Sequence, residues 1–261
     1  MKQQIAAAYS RILKSELVAA MGCTEPIAIA YAGAKCREVL GAMPDSCKVF
    51  CSGNIVKNVM GVTVPNSGGL KGIDVAATLG ILGGDADRDL EVLESVTEEH
   101  VRQAKQLLAD DFCSCALVDN VENLYIRICL TADESNAMVE IRNYHKNITR
   151  IEKDGQLLYS QEVSCNELPV HEDPDKALLN ISDILAYGES LNDPEIFKLM
   201  EYQLQNNLAI ASEGLEKPYG AQVGKTLLSN VKVRSTDTVR TIAKAYAAAG
   251  SDARMNGCAM P

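Results

Sequence analysis

The chain has 261 residues, of which 47% are hydrophobic and 23% charged, and a formal net charge of −10. This composition is globular and excludes a collagen-like, coiled-coil or disordered chain, while the acidic balance disfavours a duplex nucleic-acid partner. No apolar run reaches the ~20 residues that span a bilayer and the amphipathic start lacks a signal-peptide core, so the predicted setting is the cytoplasm, with no membrane partner.

Ile5, Tyr9, Ile12, Leu13 and Leu17 recur at helical spacing and predict a first helix. Met21-Gly22-Cys23-Thr24-Glu25-Pro26 breaks it. Thr24 reads as the N-cap of a second helix over 27–40, with Glu25 and Pro26 in its first turn. The first half of that helix is apolar all round, which predicts burial in a bundle. Residues 48–58 read as a strand with a turn at Ser52-Gly53-Asn54, and 62–64 as a short extended piece. A loop over 66–72 leads to a small-residue helix over 73–82 that ends at Gly83-Gly84. A charged amphipathic helix follows over 97–109.

Alternation over 124–130 and 138–144 predicts strands. Residues 148–153 and 156–160 flank Asp154-Gly155, a strong hairpin signal. Beyond Pro169, helices are predicted near 176–189, 194–208, 219–229 and 236–249. Ser235-Thr236-Asp237 starts the last and Gly250 stops it. The expected class is α+β: a helical catalytic domain in two parts, 1–45 and 168–261, with a mixed α/β domain inserted over 46–167.

Nine cysteines cannot all pair, and no export signal accompanies them. They read as reduced thiols, mostly core residues. Cys23 stands apart because it precedes a helix N-terminus, where unpaired N–H groups and the helix dipole stabilise a thiolate. A buried structural cysteine is the alternative there. Cys258 follows a glycine in Asn256-Gly257-Cys258-Ala259, where bare backbone admits a bulky inorganic group. Cys113 and Cys115 share a face of a predicted strand, with no second pair at zinc-finger spacing.

Ser52-Gly53-Asn54 and Asn66-Ser67-Gly68-Gly69 offer N–H, amide and hydroxyl groups to a small anion, and ordinary turns account for them equally well. Neither is a Walker A or dinucleotide fingerprint. His100 and His171 read as solvated. His145 reads as a turn residue, and no Ser-His-Asp or Cys-His set can be assembled from local spacing.

The blocks Met21-Gly22-Cys23-Thr24-Glu25-Pro26 and Ser52-Gly53-Asn54-Ile55-Val56-Lys57-Asn58-Val59 together resemble the L-cysteine desulfidase family, which is related to the alpha chain of iron–sulfur L-serine dehydratases. Val64-Pro65-Asn66-Ser67-Gly68, Glu213-Gly214, Gly220, Val223-Gly224 and Ser251-Asp252-Ala253-Arg254-Met255 extend the resemblance along the chain. The resemblance implies a [4Fe–4S] enzyme that cleaves L-cysteine to pyruvate, ammonia and sulfide without pyridoxal phosphate. It implies Cys23 and Cys258 as cluster ligands. The family's chain continues further and carries a third cysteine there, so the resemblance implies an N-terminal portion.

On that basis Ser52, Gly53, Asn54, Asn58, Asn66, Ser67 and Gly68 are expected to hold the substrate carboxylate and ammonium. Lys57 is expected to serve as base or anion partner. Arg254 is expected to clamp the carboxylate, since arginine forms bidentate pairs. The expected partners are a small amino acid and either a second copy or the missing C-terminal portion. L-Serine dehydration is the same elimination with another leaving group, and pocket contacts decide between the two. A catalytically incomplete fragment or a non-catalytic subunit stays open beside both.

Overall fold

The computed structural model describes residues 3–161, 174–230 and 238–260. In chain order, α1 spans Gln3–Glu16, α2 Thr24–Leu40, β1 Ser46–Ser52, α3 Gly53–Met60 and α4 Ile73–Gly83. A short 3-10 stretch precedes α5, Glu98–Ala109. Five strands follow: β2 Cys113–Val118, β3 Tyr125–Ala132, β4 Ser135–Arg142, β5 Ile148–Lys153 and β6 Gln156–Ser160. Then come α6 Ile181–Ser190, α7 Pro194–Glu216, α8 Val223–Ser229 and α9 Thr238–Met255. Helices with one mixed sheet make this an α+β protein, as the sequence predicts. Among the described residues no helix is long and apolar enough to cross a membrane.

The chain divides into two compact units. The first comprises Met1–Ala19 and Ser164–Leu208. Its small core joins Ala8 and Tyr9 of α1 to Tyr187 of α6, with the two rings edge-on at 5.6 Å between centroids. The Tyr9 hydroxyl donates to the Leu178 carbonyl at 2.9 Å, which satisfies the polar end of a buried ring. Arg11 grips Asp175 through two nitrogens at 2.6 and 2.7 Å.

The second unit comprises Ala20–Val163 and Ala209–Pro261. Its sheet has the order β2-β1-β3-β4-β5-β6. β1 pairs in parallel with β2, and the other pairings are antiparallel. β5 and β6 form the expected hairpin, and Asp154 and Gly155 both take the positive φ that its tight turn needs. α2 is buried, but between the sheet and α4 rather than within a helical bundle. Small residues let the two helices meet: a Cβ on Gly80 would stand 2.1 Å from the Ala30 carbonyl oxygen. The division therefore runs differently from the predicted one. Residues 20–45 belong with the sheet because β3, β4 and α4 cover the apolar surface of α2.

Four local expectations change. Cys23, not Thr24, is the N-cap of α2, and it makes no side-chain cap bond. The strand predicted through 58 ends at Ser52, and α3 begins at Gly53. Ile55 and Val59 stand one helical turn apart and are both buried, so the helix satisfies them. α9 runs through Gly250 to Met255, and a Cβ at Gly250 would make only ordinary contact with Ile210 and Ala211 of α7, whereas one on Gly214 of α7 would stand 2.1 Å from the Ala249 carbonyl oxygen of α9, so the close approach of the two helices rests on Gly214. The predicted start at Ser235-Thr236-Asp237 lies outside the described residues, as do Cys165 and His171. His100 is more than a solvated side chain: with Thr97 it forms the capping box of α5.

Candidate functional site

The two Gly-Cys pairs converge on one short segment, residues 63–65. The Thr63 N–H donates to the Met255 carbonyl at 3.1 Å, and Thr63 also bridges to Lys71 and Asn256. The Gly22 N–H donates to the Met260 carbonyl at 3.4 Å. Both glycines hold positive φ, +64° at Gly22 and +89° at Gly257. A Cβ on Gly22 would meet Pro65 Cγ at 2.7 Å, and one on Gly257 would meet Thr63 Cγ2 at 2.6 Å. Bare backbone at these two positions thus admits Pro65 and Thr63 beside it; at Gly257, where the sequence suggested space for an inorganic group, the neighbour is Thr63.

Cys23 is buried in extended backbone at the start of α2. Its thiol donates to Glu25 Oε2 at 3.1 Å. Burial pushes the thiol up to about 12, the Glu25 carboxylate adds to this, and Arg254 opposes it. The expected thiolate at a helix N-terminus is therefore reversed. Desolvation and an adjacent carboxylate outweigh the dipole.

Glu25 also accepts from Thr24 Oγ1 at 3.3 Å and from Asn58 Nδ2 at 3.1 Å. Burial pushes its carboxyl up, but the hydrogen bonds from Cys23, its own backbone and Asn58, with His145 nearby, hold it below its ordinary range. His145 is half-buried, and burial holds its imidazole below the ordinary range against the pull of Glu25.

Cys258 is buried, and its N–H donates to the Ala253 carbonyl at 3.0 Å. Its thiol is hydrogen-bonded with the Tyr219 hydroxyl, which also donates to Glu213 Oε1 at 2.9 Å. Arg254 stands half-buried in the last turn of α9, four residues before Cys258 and within electrostatic reach of Cys23.

The remaining predicted residues are distributed as follows. Asn58 joins the group through Glu25. Lys57, one position earlier on α3, is exposed. The Ser52 hydroxyl donates to the Asn123 carbonyl at 2.6 Å, while Gly53 and Asn54 open α3 in exposed positions. Asn66 donates to the Leu93 carbonyl at 2.9 Å, and Ser67 to the Leu70 carbonyl at 3.0 Å. Gly68 holds the turn at φ +69°. The Ser52, Asn66 and Ser67 side chains are thus occupied by protein carbonyls.

Cys36 donates to the Ile128 carbonyl at 3.6 Å within the core. Cys113 is hydrogen-bonded with Cys115 on its own strand and with Cys47 opposite. Glu25 and Tyr219 had no sequence signal as site residues, and His145 had only the general reactivity of its ring.

Fold and site together define an α+β protein with two buried thiols and, around Cys23, a half-buried carboxylate, imidazole and guanidinium. No family model matches the chain. No solved structure matches it either. It is 46% identical over 251 residues to the UPF0597 protein of Lachnoclostridium phytofermentans, which covers 96% of this chain and 58% of that one. It is 43% identical over 254 residues to the UPF0597 protein of Finegoldia magna, 97% of this chain and 59% of that one. A UPF0597 protein of Treponema denticola is 38% identical over 254 residues, with the same shares. The chain thus spans less than two thirds of the length of these relatives. These matches correct the family read from the motifs. Relatives aligned over nearly the whole chain bear the UPF0597 name, not that of L-cysteine desulfidase or serine dehydratase.

Proposed function

We propose that this chain forms part of an iron–sulfur-dependent lyase that removes sulfide from L-cysteine by β-elimination, giving pyruvate and ammonia. The observation that supports this reading is the convergence of Cys23 and Cys258, far apart in sequence, on residues 63–65, with Arg254 in reach of Cys23.

Two buried thiols match a [4Fe–4S] cluster in kind, but such a cluster takes three or four thiolates. Among the described residues no group of three or more His, Cys, Asp and Glu side chains is arranged to hold a metal ion. Cys23 and Cys258 would therefore supply part of the ligand set, and a further thiolate must come from outside the described residues. When bound, such a cluster supplies a Lewis-acidic iron.

The chain's own residues account for the rest of the reading. Arg254 pairs with the substrate carboxylate. His145, kept neutral by burial, accepts the α-proton on its imidazole nitrogen. It suits that task better than the exposed Lys57. As the Cα–H bond breaks, its electrons form the Cα–Cβ double bond, and the Cβ–S bond breaks with sulfide carrying away its pair. The aminoacrylate left behind takes up water to give pyruvate and ammonia.

The test is anaerobic reconstitution with iron and sulfide, followed by assays for sulfide and pyruvate from L-cysteine and from L-serine. The visible absorption of a cluster is expected in the wild-type chain and lost in both Cys23→Ala and Cys258→Ala. Cluster retained in both variants overturns the ligand assignment. Pyruvate from L-serine alone overturns the choice of substrate.

A further inference from the structure

α2 and α4 pack against the face of the sheet that carries Val49, Ile128 and Val139. On the opposite face the strand register sets two rows side by side. Lys48, Cys129, Met138 and Glu152 form one row across β1, β3, β4 and β5, and Phe50, Arg127, Glu140 and Arg150 form the next. Side chains two apart on a strand share a face, so both rows project the same way. Together they line a cavity of about 460 Å³, a size typical of small-molecule sites.

The charges in this cavity do not cancel. Arg150 pairs with Glu152, while Glu140 is taken by Arg142, Tyr125 and Thr149. Lys48 and Arg127 form no ion pair among the described residues, in a chain whose formal net charge is −10. The Arg127 guanidinium lies 4.4 Å from the centroid of the Phe50 ring. Its Nε is buried and has no hydrogen-bond partner, where such nitrogens are normally bonded. A ring, not a carboxylate, thus holds Arg127 and leaves its charge unmatched. Lys48 and Arg127 are diagonal neighbours on adjacent strands, about 7–8 Å apart. Both can reach a single group, and that group must carry two charges and several acceptor oxygens to match them. A phosphate monoester does so, with close to two negative charges at neutral pH, whereas a carboxylate carries one. Phe50, Cys129 and Met138 offer an apolar floor for the rest of the molecule.

We propose that this cavity is a binding site for a small phosphate monoester, whose phosphate sits between Lys48 and Arg127 and whose organic part lies on Phe50, Cys129 and Met138. The site belongs to the sheet and needs neither an iron–sulfur cluster nor the lyase reading.

The full chain is titrated by calorimetry at neutral pH with phenyl phosphate, inorganic phosphate, phenol and succinate. Phenyl phosphate is expected to bind at least about tenfold more tightly than phenol, which lacks the charge, and than succinate, whose two charges sit on separate groups. It should exceed inorganic phosphate, which has no organic part, by at least about threefold. Lys48→Gln and Arg127→Gln should each weaken phenyl phosphate at least about tenfold. Arg102→Gln, which removes an exposed cation on α5, should leave its affinity unchanged. A wild type that does not bind phenyl phosphate overturns the inference, as does one that binds phenol, succinate or inorganic phosphate equally well. Wild-type affinity in Lys48→Gln and Arg127→Gln also overturns it. Lys48 is exposed, so its substitution leaves the core intact, and should Arg127→Gln fail to fold, Lys48→Gln alone decides.

Discussion

The carbonyl oxygen of Cys258 lies 3.3 Å from the position that a Cβ on Gly22 would occupy. That closeness ties the turn before α2 to the turn after α9, and each turn delivers a buried cysteine. The two turns are held by backbone geometry, so backbone substitutions test the arrangement most directly.

Gly22→Ala and Gly257→Ala should each destabilise the second unit by about 3 kcal/mol, from left-handed strain plus overlap with Pro65 or Thr63. Gly61 has open space within 4 Å of where a Cβ would stand, and an ordinary φ of −93°. Gly61→Ala should stay within about 0.5 kcal/mol of the wild type. Urea midpoints check the contrast, and equal midpoints for Gly22→Ala and Gly61→Ala would refute it.

Gly80→Ala should be at least as damaging, about 3 kcal/mol, because its Cβ would stand 2.1 Å from a backbone oxygen that cannot rotate away. Gly188 offers the opposite case in α6, with open space around it. Gly188→Ala should stabilise its helix by about 0.5–1 kcal/mol. Thermal and urea unfolding of the two variants should move in opposite directions.

Glu140 is buried and accepts hydrogen bonds from Tyr125 at 3.0 Å and Thr149 at 2.9 Å, besides its pair with Arg142. Burial pushes its carboxyl up, but these donors hold it below its ordinary range. A depressed folded-state pKa contributes stability that is fully present above the unfolded value of about 4.3 and is lost as pH falls through the folded value. Glu140→Gln should cost about 1–3 kcal/mol at neutral pH. The gap from the wild type should narrow in acid once both side chains are uncharged. Urea unfolding at neutral and acidic pH measures it, and a gap independent of pH would remove the carboxylate from the explanation.

Tyr219→Phe removes the hydroxyl shared by Cys258 and Glu213. Cys258 should then react faster with iodoacetamide, while Cys36, sealed in the core, stays unmodified. Peptide mapping after a timed pulse reads both sites. An unchanged rate at Cys258 would show that the phenol does not guard it.

Much of the fold was legible because its signals are local. Asp154-Gly155 supplies the positive φ pair of the β5–β6 turn, and Thr97 caps α5 as a threonine before an amphipathic helix should. The apolar first half of α2 announced its burial. Which neighbours would cover α2 was not legible, since a sheet and a helix bundle both satisfy an apolar surface. For the same reason Gly250 read as a helix stop: a glycine that ends a helix and one that a packed helix runs straight through look alike in sequence.

The sequence by itself determined the element types, the α+β class and the interest of two Gly-Cys turns, because periodicity, caps and turn residues act within a few positions. Only the tertiary structure decided that those turns meet across residues 63–65, that Glu25 rather than the loop side chains stands beside Cys23, and that Cys23 is a thiol and not a thiolate. Those outcomes depend on burial and on charges brought together from α2, α3, α9 and the turn after β4. Neither desolvation nor a contact between distant segments leaves a mark on local spacing.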